Sequence, residues 1–157
     1  MTNRYTLVII DMQWEFRGTA ERALGGVIKA IRNAKKNCSS IMVVEYANSG
    51  HTLGEVAQVL KNYPKVYTVR KSSDDGSAEV KHALLKHKLS KNLRVCGVNL
   101  NCCVAETVDG LLNFCRVTVL KNAVCASDWE TNRHLLNFTK HRLEHLRIGA
   151  LRLAIAS

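Results

Sequence analysis

The chain has 157 residues, 46% of them hydrophobic, with a single proline, enough to bury the core of one globular unit without a covalent staple. Lysine and arginine total 23 against 13 aspartates and glutamates, a formal net charge of +10, which attracts anions such as carboxylated substrates or acidic partners. No apolar run approaches the roughly 18 residues of a membrane span, so no anchor or membrane partner is expected and a cytoplasmic address is the default.

The first element is Tyr5 to Ile10, an apolar, β-branched run that stops at Asp11 as a buried parallel strand does. Ala20, Ala23, Leu24, Val27, Ile28, Ile31 and Ala34 then recur at helical spacing. Ser39 to Tyr46 is a second strand, followed by a helix using Leu53, Val56, Ala57 and Leu60. Pro64 marks the turn before a third strand, Val66 to Arg70. A helix from Ser77 to Leu89 leads to a fourth strand, Leu93 to Val98, and the next helix begins near Cys102. Arg116 to Leu120 supplies a fifth strand, Glu130 to Leu146 a final helix and Ala150 to Ile155 a sixth strand. Such alternation predicts a three-layer α/β/α sandwich with a six-stranded, mainly parallel sheet, as one domain over residues 1–157.

The six cysteines form no disulfide-scaffold pattern, and reduced thiols are expected. Zinc needs short Cys-x-x-Cys pairs backed by further ligands, whereas this chain has only the adjacent Cys102-Cys103 and isolated singles. No metal and no other cofactor is therefore expected. Arg32, Lys35 and Lys36 close one predicted helix, and Lys81, Lys86, Lys88 and Lys91 accompany another, as solvated faces and helix C-termini do. With few aromatics between them and no nucleic-acid motif, a nucleic-acid partner is not expected.

Open parallel sheets bind ligands beyond the carboxyl ends of their strands. That rule selects Asp11, Tyr46 to Asn48, Lys71, Val98 to Cys103 and Lys121 to Asn122. A carboxylate, an ammonium and a thiol thus share one rim. A cysteine in the first turn of a helix, near a lysine, is biased towards the nucleophilic thiolate, and a nearby carboxylate can move its proton. Plainer roles exist for each: Asp11 as a helix cap or turn residue, Cys103 as a small apolar filler. The residue types alone leave both readings open.

Val8 to Phe16, reading VIIDMQWEF, resembles the opening strand of the isochorismatase-like cysteine hydrolases with its Asp-x-Gln-x-x-Phe signature. Val69-Arg70-Lys71 followed by Ser77-Ala78 is similar to the family's lysine segment. Gly97 to Val104, with Thr107 beyond, resembles its Gly-x-x-x-x-x-Cys-Val-x-x-Thr nucleophile turn. The resemblance implies Asp11, Lys71 and Cys103 as the catalytic set of an amidase-type hydrolase acting on a small amide, carbamoyl or related C–N substrate. It also implies an oxyanion hole from the backbone amides of Asn99 and Cys103, a cis peptide at Val98-Asn99, a pocket lined by Trp14 and Phe16, and assembly as a homo-oligomer. The net charge makes an anionic small-molecule substrate one expected option.

Some positions depart from the family pattern. Gly110 stands where an aspartate is common, and Lys121-Asn122-Ala123 where an Asp-Ala pair is usual. His51 lacks the Asp-x-His and second histidine of the metal-bearing nicotinamidases. The alternative function is a catalytically inactive member whose basic surface serves as a binding or interaction module.

Overall fold

The computed structural model describes residues 4–137 and the backbone of 151–154. Six strands, β1 (Thr6–Ile10), β2 (Ser40–Tyr46), β3 (Val66–Lys71), β4 (Asn92–Val98), β5 (Arg116–Cys125) and β6 (Leu151–Ala154), pair in the order β3-β2-β1-β4-β5-β6. Every pairing is parallel. Helices α1 (Arg17–Lys36), α2 (Gly54–Leu60), α3 (Ser77–Lys86) and α4 (Ala105–Leu111) connect them, and residues 131–137 form a further helix, α5. The rest of the helix expected to Leu146 lies outside the described residues. None of the described helices is long and apolar enough to cross a membrane.

Period-two alternation divides β1 between two cores. Leu7 and Ile9 pack with the buried face of α1, while Val8 and Ile10 pack with Val80 and Leu84 of α3, Val108 of α4 and Val104 just before it. Burial on both faces is why Tyr5 to Ile10 reads as an unbroken apolar run rather than an alternating one. Alanines 20, 23, 30 and 34 supply most of the buried stripe of α1, and small side chains let that helix lie close to the sheet.

The strand order reverses beside β1. The chain builds outward through β2 to β3, then crosses back to lay β4 against the other side of β1. A crevice opens at such a reversal, beyond the strand carboxyl ends. Gly97 is paired with Ile10 there and has φ +115°; a Cβ at this position would collide with the Ile10 backbone. Only glycine allows β4 to run this close to the strand that delivers Asp11.

Three local features differ from the periodicity reading. β5 continues to Cys125, past a register shift opposite Val95 and Gly97, so Lys121 and Asn122 lie within the strand rather than after it. The segment carrying Cys103 is a π-helical turn, Leu100–Val104, that precedes α4 instead of belonging to its first turn. A 3-10 turn, Trp14–Phe16, joins β1 to α1. The Val98–Asn99 peptide is cis.

Candidate active site

Asp11 follows directly on β1 with φ +52°, a left-handed conformation that aspartate tolerates better than most residues. Gln13, two residues on, is buried and fixes this turn to β2. Its Oε1 accepts from the Tyr46 N–H at 2.6 Å, while its Nε2 donates to the carbonyls of Tyr46 at 3.0 Å and Gly50 at 2.8 Å. The glutamine of the sequence signature thus ties the carboxylate's turn to the end of the neighbouring strand.

Lys71 ends β3 and is among the largest fully buried side chains. Its Nζ lies 2.9 Å from Asp11 Oδ2 and donates to the carbonyls of Ser73 at 3.0 Å and Asp74 at 3.3 Å. It also sits 4.2 Å from the centroid of the Tyr46 ring. A buried ammonium needs such a full set of partners, because removal from water is otherwise strongly unfavourable. Neither Asp11 oxygen receives a well-aligned hydrogen bond from the surrounding protein, although Lys71 is at contact distance and the Cys103 thiol lies alongside.

Cys103 is 3% exposed and completes the group. The π-helical turn holds it: the Asn99 carbonyl accepts from the N–H groups of both Cys102 and Val104 at 3.1 Å. Asp11, Lys71 and Cys103, separated by up to 92 positions in the chain, therefore meet at the strand reversal.

The electrostatics differ from the sequence expectation of a resting thiolate. Burial, reinforced by the Asp11 carboxylate beside it, pushes the Cys103 thiol up to about 12; Lys71 pulls the other way and is outweighed. Burial also holds the Asp11 carboxyl above its ordinary range, against the opposing pull of Cys103 and Lys71. The first physical reason is burial, with Asp11 beside the sulfur as the second, while the Lys71 ammonium is also engaged by Asp11 and two carbonyls. At neutral pH the resting site holds a protonated thiol next to a proton acceptor.

A second carboxylate, absent from the sequence reading, reaches the same sulfur. The Cys103 thiol donates to Asp74 Oδ1 at 3.5 Å. Asp74 belongs to the segment between β3 and α3, pinned by Lys71 and by Thr107, whose hydroxyl donates to the Asp74 carbonyl at 3.3 Å and accepts from the Gly76 N–H at 2.9 Å. Gly110 gains a meaning here. A Cβ on it would collide with the Ser77 side chain, so the departure from the family's aspartate makes room for this segment.

A family model described as the isochorismatase domain matches residues 5–147. The chain belongs to the isochorismatase domain family. No curated protein matches it in sequence. Among solved structures, a MAR1 ribonuclease from Caenorhabditis elegans superposes with a TM-score of 0.80 at 18% identity, covering 99% of this chain and 78% of the other. The nicotinamidase SaPncA from Staphylococcus aureus gives 0.78 at 16% identity, over 98% and 99%. An N-carbamoylsarcosine amidase from Thermoplasma acidophilum gives 0.76 at 16% identity, over 98% and 97%. At these identities the likeness is one of fold.

Within this isochorismatase domain the two aromatic candidates part company. Phe16 is partly buried and stacks edge-on with Tyr46 at 6.4 Å, which places it one ring away from Lys71. Trp14 is 63% exposed, with the Arg17 guanidinium 4.7 Å over its ring. Asn99 leads into the π-helical turn and keeps a buried Oδ1 without a partner. Among the described residues no three histidine, cysteine, aspartate or glutamate side chains are grouped as a metal ion requires.

Lys29, Arg32 and Lys36 line a groove on the outer face of α1, a helix whose last turn leads to the start of β2, at the opposite end of the sheet. The Cys102 thiol, next to Cys103, is pushed up by burial and then by Asp74, Glu106 and Asp128.

Proposed function

We propose that this domain is a cysteine hydrolase that cleaves a C–N bond of a small amide or carbamoyl compound, with Cys103 as nucleophile, Asp11 as general acid/base and Lys71 as the cation that holds Asp11. The observation that carries the reading is the fully buried Lys71–Asp11 pair, 2.9 Å apart, against the Cys103 thiol. Burying two charges is costly, and a core leucine and methionine would pack as well. Clustered, shifted titratable groups at a strand-reversal crevice favour a catalytic reason for them. Membership of the family, and the two amidases among the superposed structures, support the same chemistry.

Because the resting thiol is protonated, attack begins with proton transfer. Asp11 takes the proton as sulfur bonds to the substrate carbonyl carbon, giving a tetrahedral oxyanion. The backbone N–H groups of Asn99 and Cys103 are the donors for that oxyanion in this reading; one such donor is worth about 10²- to 10³-fold in rate. Collapse of the intermediate breaks the C–N bond, and Asp11 returns its proton to the leaving amine. Water then attacks the thioester, again giving its proton to Asp11, and the C–S bond breaks as sulfur recovers a proton. Lys71 keeps Asp11 oriented and limits its burial penalty in the ionised form.

The test is amine or ammonia release from a panel of small amides, ureas and carbamates. Cys103→Ala and Asp11→Asn are each expected to lower kcat by at least about 10³-fold. Hydrolysis that persists undiminished in Cys103→Ala rejects the proposal.

A further inference from the structure

We propose that Asp74 selects the charge of the substrate, favouring carbonyl compounds that carry a positive group beside the scissile bond and excluding carboxylates. The inference rests on the reading of Cys103 as nucleophile and extends it to the substrate class. It opposes the anionic substrate that the net charge of the chain suggested.

Asp74 Oδ1 lies 3.5 Å from the nucleophilic sulfur, and the side chain is only partly buried, so it spans from the reacting atom towards the mouth of the site. Among the described residues no lysine or arginine forms an ion pair with it. Its backbone carbonyl accepts from both Lys71 Nζ and the Thr107 hydroxyl, which anchors the residue from which the carboxylate projects. Among the described residues two carboxylates, Asp11 and Asp74, face Cys103, and Lys71 pairs with only the first of them. Glu106 and Asp128 add negative charge at the neighbouring Cys102.

A second observation concerns hydrogen bonding. Asp11 is fully buried, and its Oδ1 has no hydrogen-bond partner. Beyond the Cys103 thiol beside Asp11, the remaining polar capacity of the two carboxylates is for acceptance, which suits a ligand that brings N–H donors. A cationic nitrogen supplies both the donor and the charge, whereas a carboxylate supplies neither and meets two like charges. The lysines and arginine of α1 do not offset this, because surface charges beyond a Debye length of about 8 Å are largely screened.

The experiment uses the full chain and two thiol reagents of similar size and opposite charge, 2-aminoethyl and 2-sulfonatoethyl methanethiosulfonate. Each forms a mixed disulfide with the cysteine and releases methanesulfinate, the thiol proton passing to solvent. Rates at Cys103 and at the exposed Cys38 are read by peptide mass spectrometry. Taking the ratio of the two reagents at one thiol cancels its intrinsic reactivity and leaves the local field. Cys38 is the internal reference, its carbonyl bound by Lys65. The cation-to-anion ratio is expected to be about tenfold or more higher at Cys103 than at Cys38, in line with the enrichment that a charged cleft gives. Asp74→Asn, nearly isosteric, is expected to return most of that preference. A wild-type ratio at Cys103 no higher than at Cys38, a preference unchanged in Asp74→Asn, or failure of the ammonium reagent to label Cys103 each overturns the proposal. Hydrolysis surviving in Cys103→Ala strikes instead at the nucleophile, so the two failures are distinguishable.

Discussion

Gln13 holds Tyr46 by both of its backbone groups, accepting from its N–H at 2.6 Å and donating to its carbonyl at 3.0 Å. The Tyr46 ring in turn lies under the Lys71 ammonium. One glutamine therefore couples the turn that carries Asp11 to the residue against which Lys71 rests.

Gln13→Ala removes three hydrogen bonds and leaves partly buried backbone groups without partners, each worth about 1–3 kcal/mol when orphaned. A loss of roughly 2–4 kcal/mol in unfolding free energy is expected on that basis, measured by urea denaturation. A change below about 0.5 kcal/mol, the size of an ordinary surface substitution, would show that the clamp is redundant.

The Lys71–Asp11 pair makes a sharper claim about coupling. Lys71→Met leaves a buried carboxylate uncompensated and is expected to cost about 3–5 kcal/mol, while the double variant with Asp11→Leu recovers a large part of that loss. Denaturation of the four proteins in a cycle measures the interaction directly. Additive losses would mean that the two side chains do not sense each other, contrary to their 2.9 Å separation.

Cys103 sets a pH window. Its thiol lies at about 12 in the folded chain against an ordinary value of 9.0. The folded state thus keeps a proton that the unfolded state gives up, and the associated stability is complete below pH 9.0 and lost as pH rises towards about 12. Unfolding free energy is expected to fall more steeply above pH 9.0 in wild type than in Cys103→Ser, which has no titrating group there. At neutral pH, iodoacetamide is expected to label the exposed Cys38 well before Cys103. Asp11→Asn removes a carboxylate that opposes the thiolate and frees Lys71 to favour it, so alkylation of Cys103 should accelerate even as hydrolysis fails. Slower alkylation in Asp11→Asn contradicts this electrostatic account.

The order of strands and helices was legible because hydrophobic periodicity is a local property: a strand buried on both faces is a short apolar run wherever it sits in the sheet. The rule that ligands gather beyond strand carboxyl ends then put Asp11, Lys71 and the Val98 to Cys103 turn among the candidates, and the family resemblance chose Asp11, Lys71 and Cys103 from them. Lys121 and Asn122 were placed on that rim as well, and the extension of β5 through a register shift removed them. That shift depends on pairing with β4, which no window of residues encodes.

What only the tertiary structure decided is the charge state and polarity of the site. The sequence supplied a lysine and a thiol on one rim; folding buried the thiol beside Asp11, which raises it, and engaged the ammonium with Asp11 and the carbonyls of Ser73 and Asp74. It supplied an excess of positive charge, and folding put lysines and an arginine on the outer face of α1 while bringing Asp74 to Cys103. Coulomb energies fall with distance and are screened by water, so composition fixes the total charge but only the three-dimensional arrangement fixes the field at an atom.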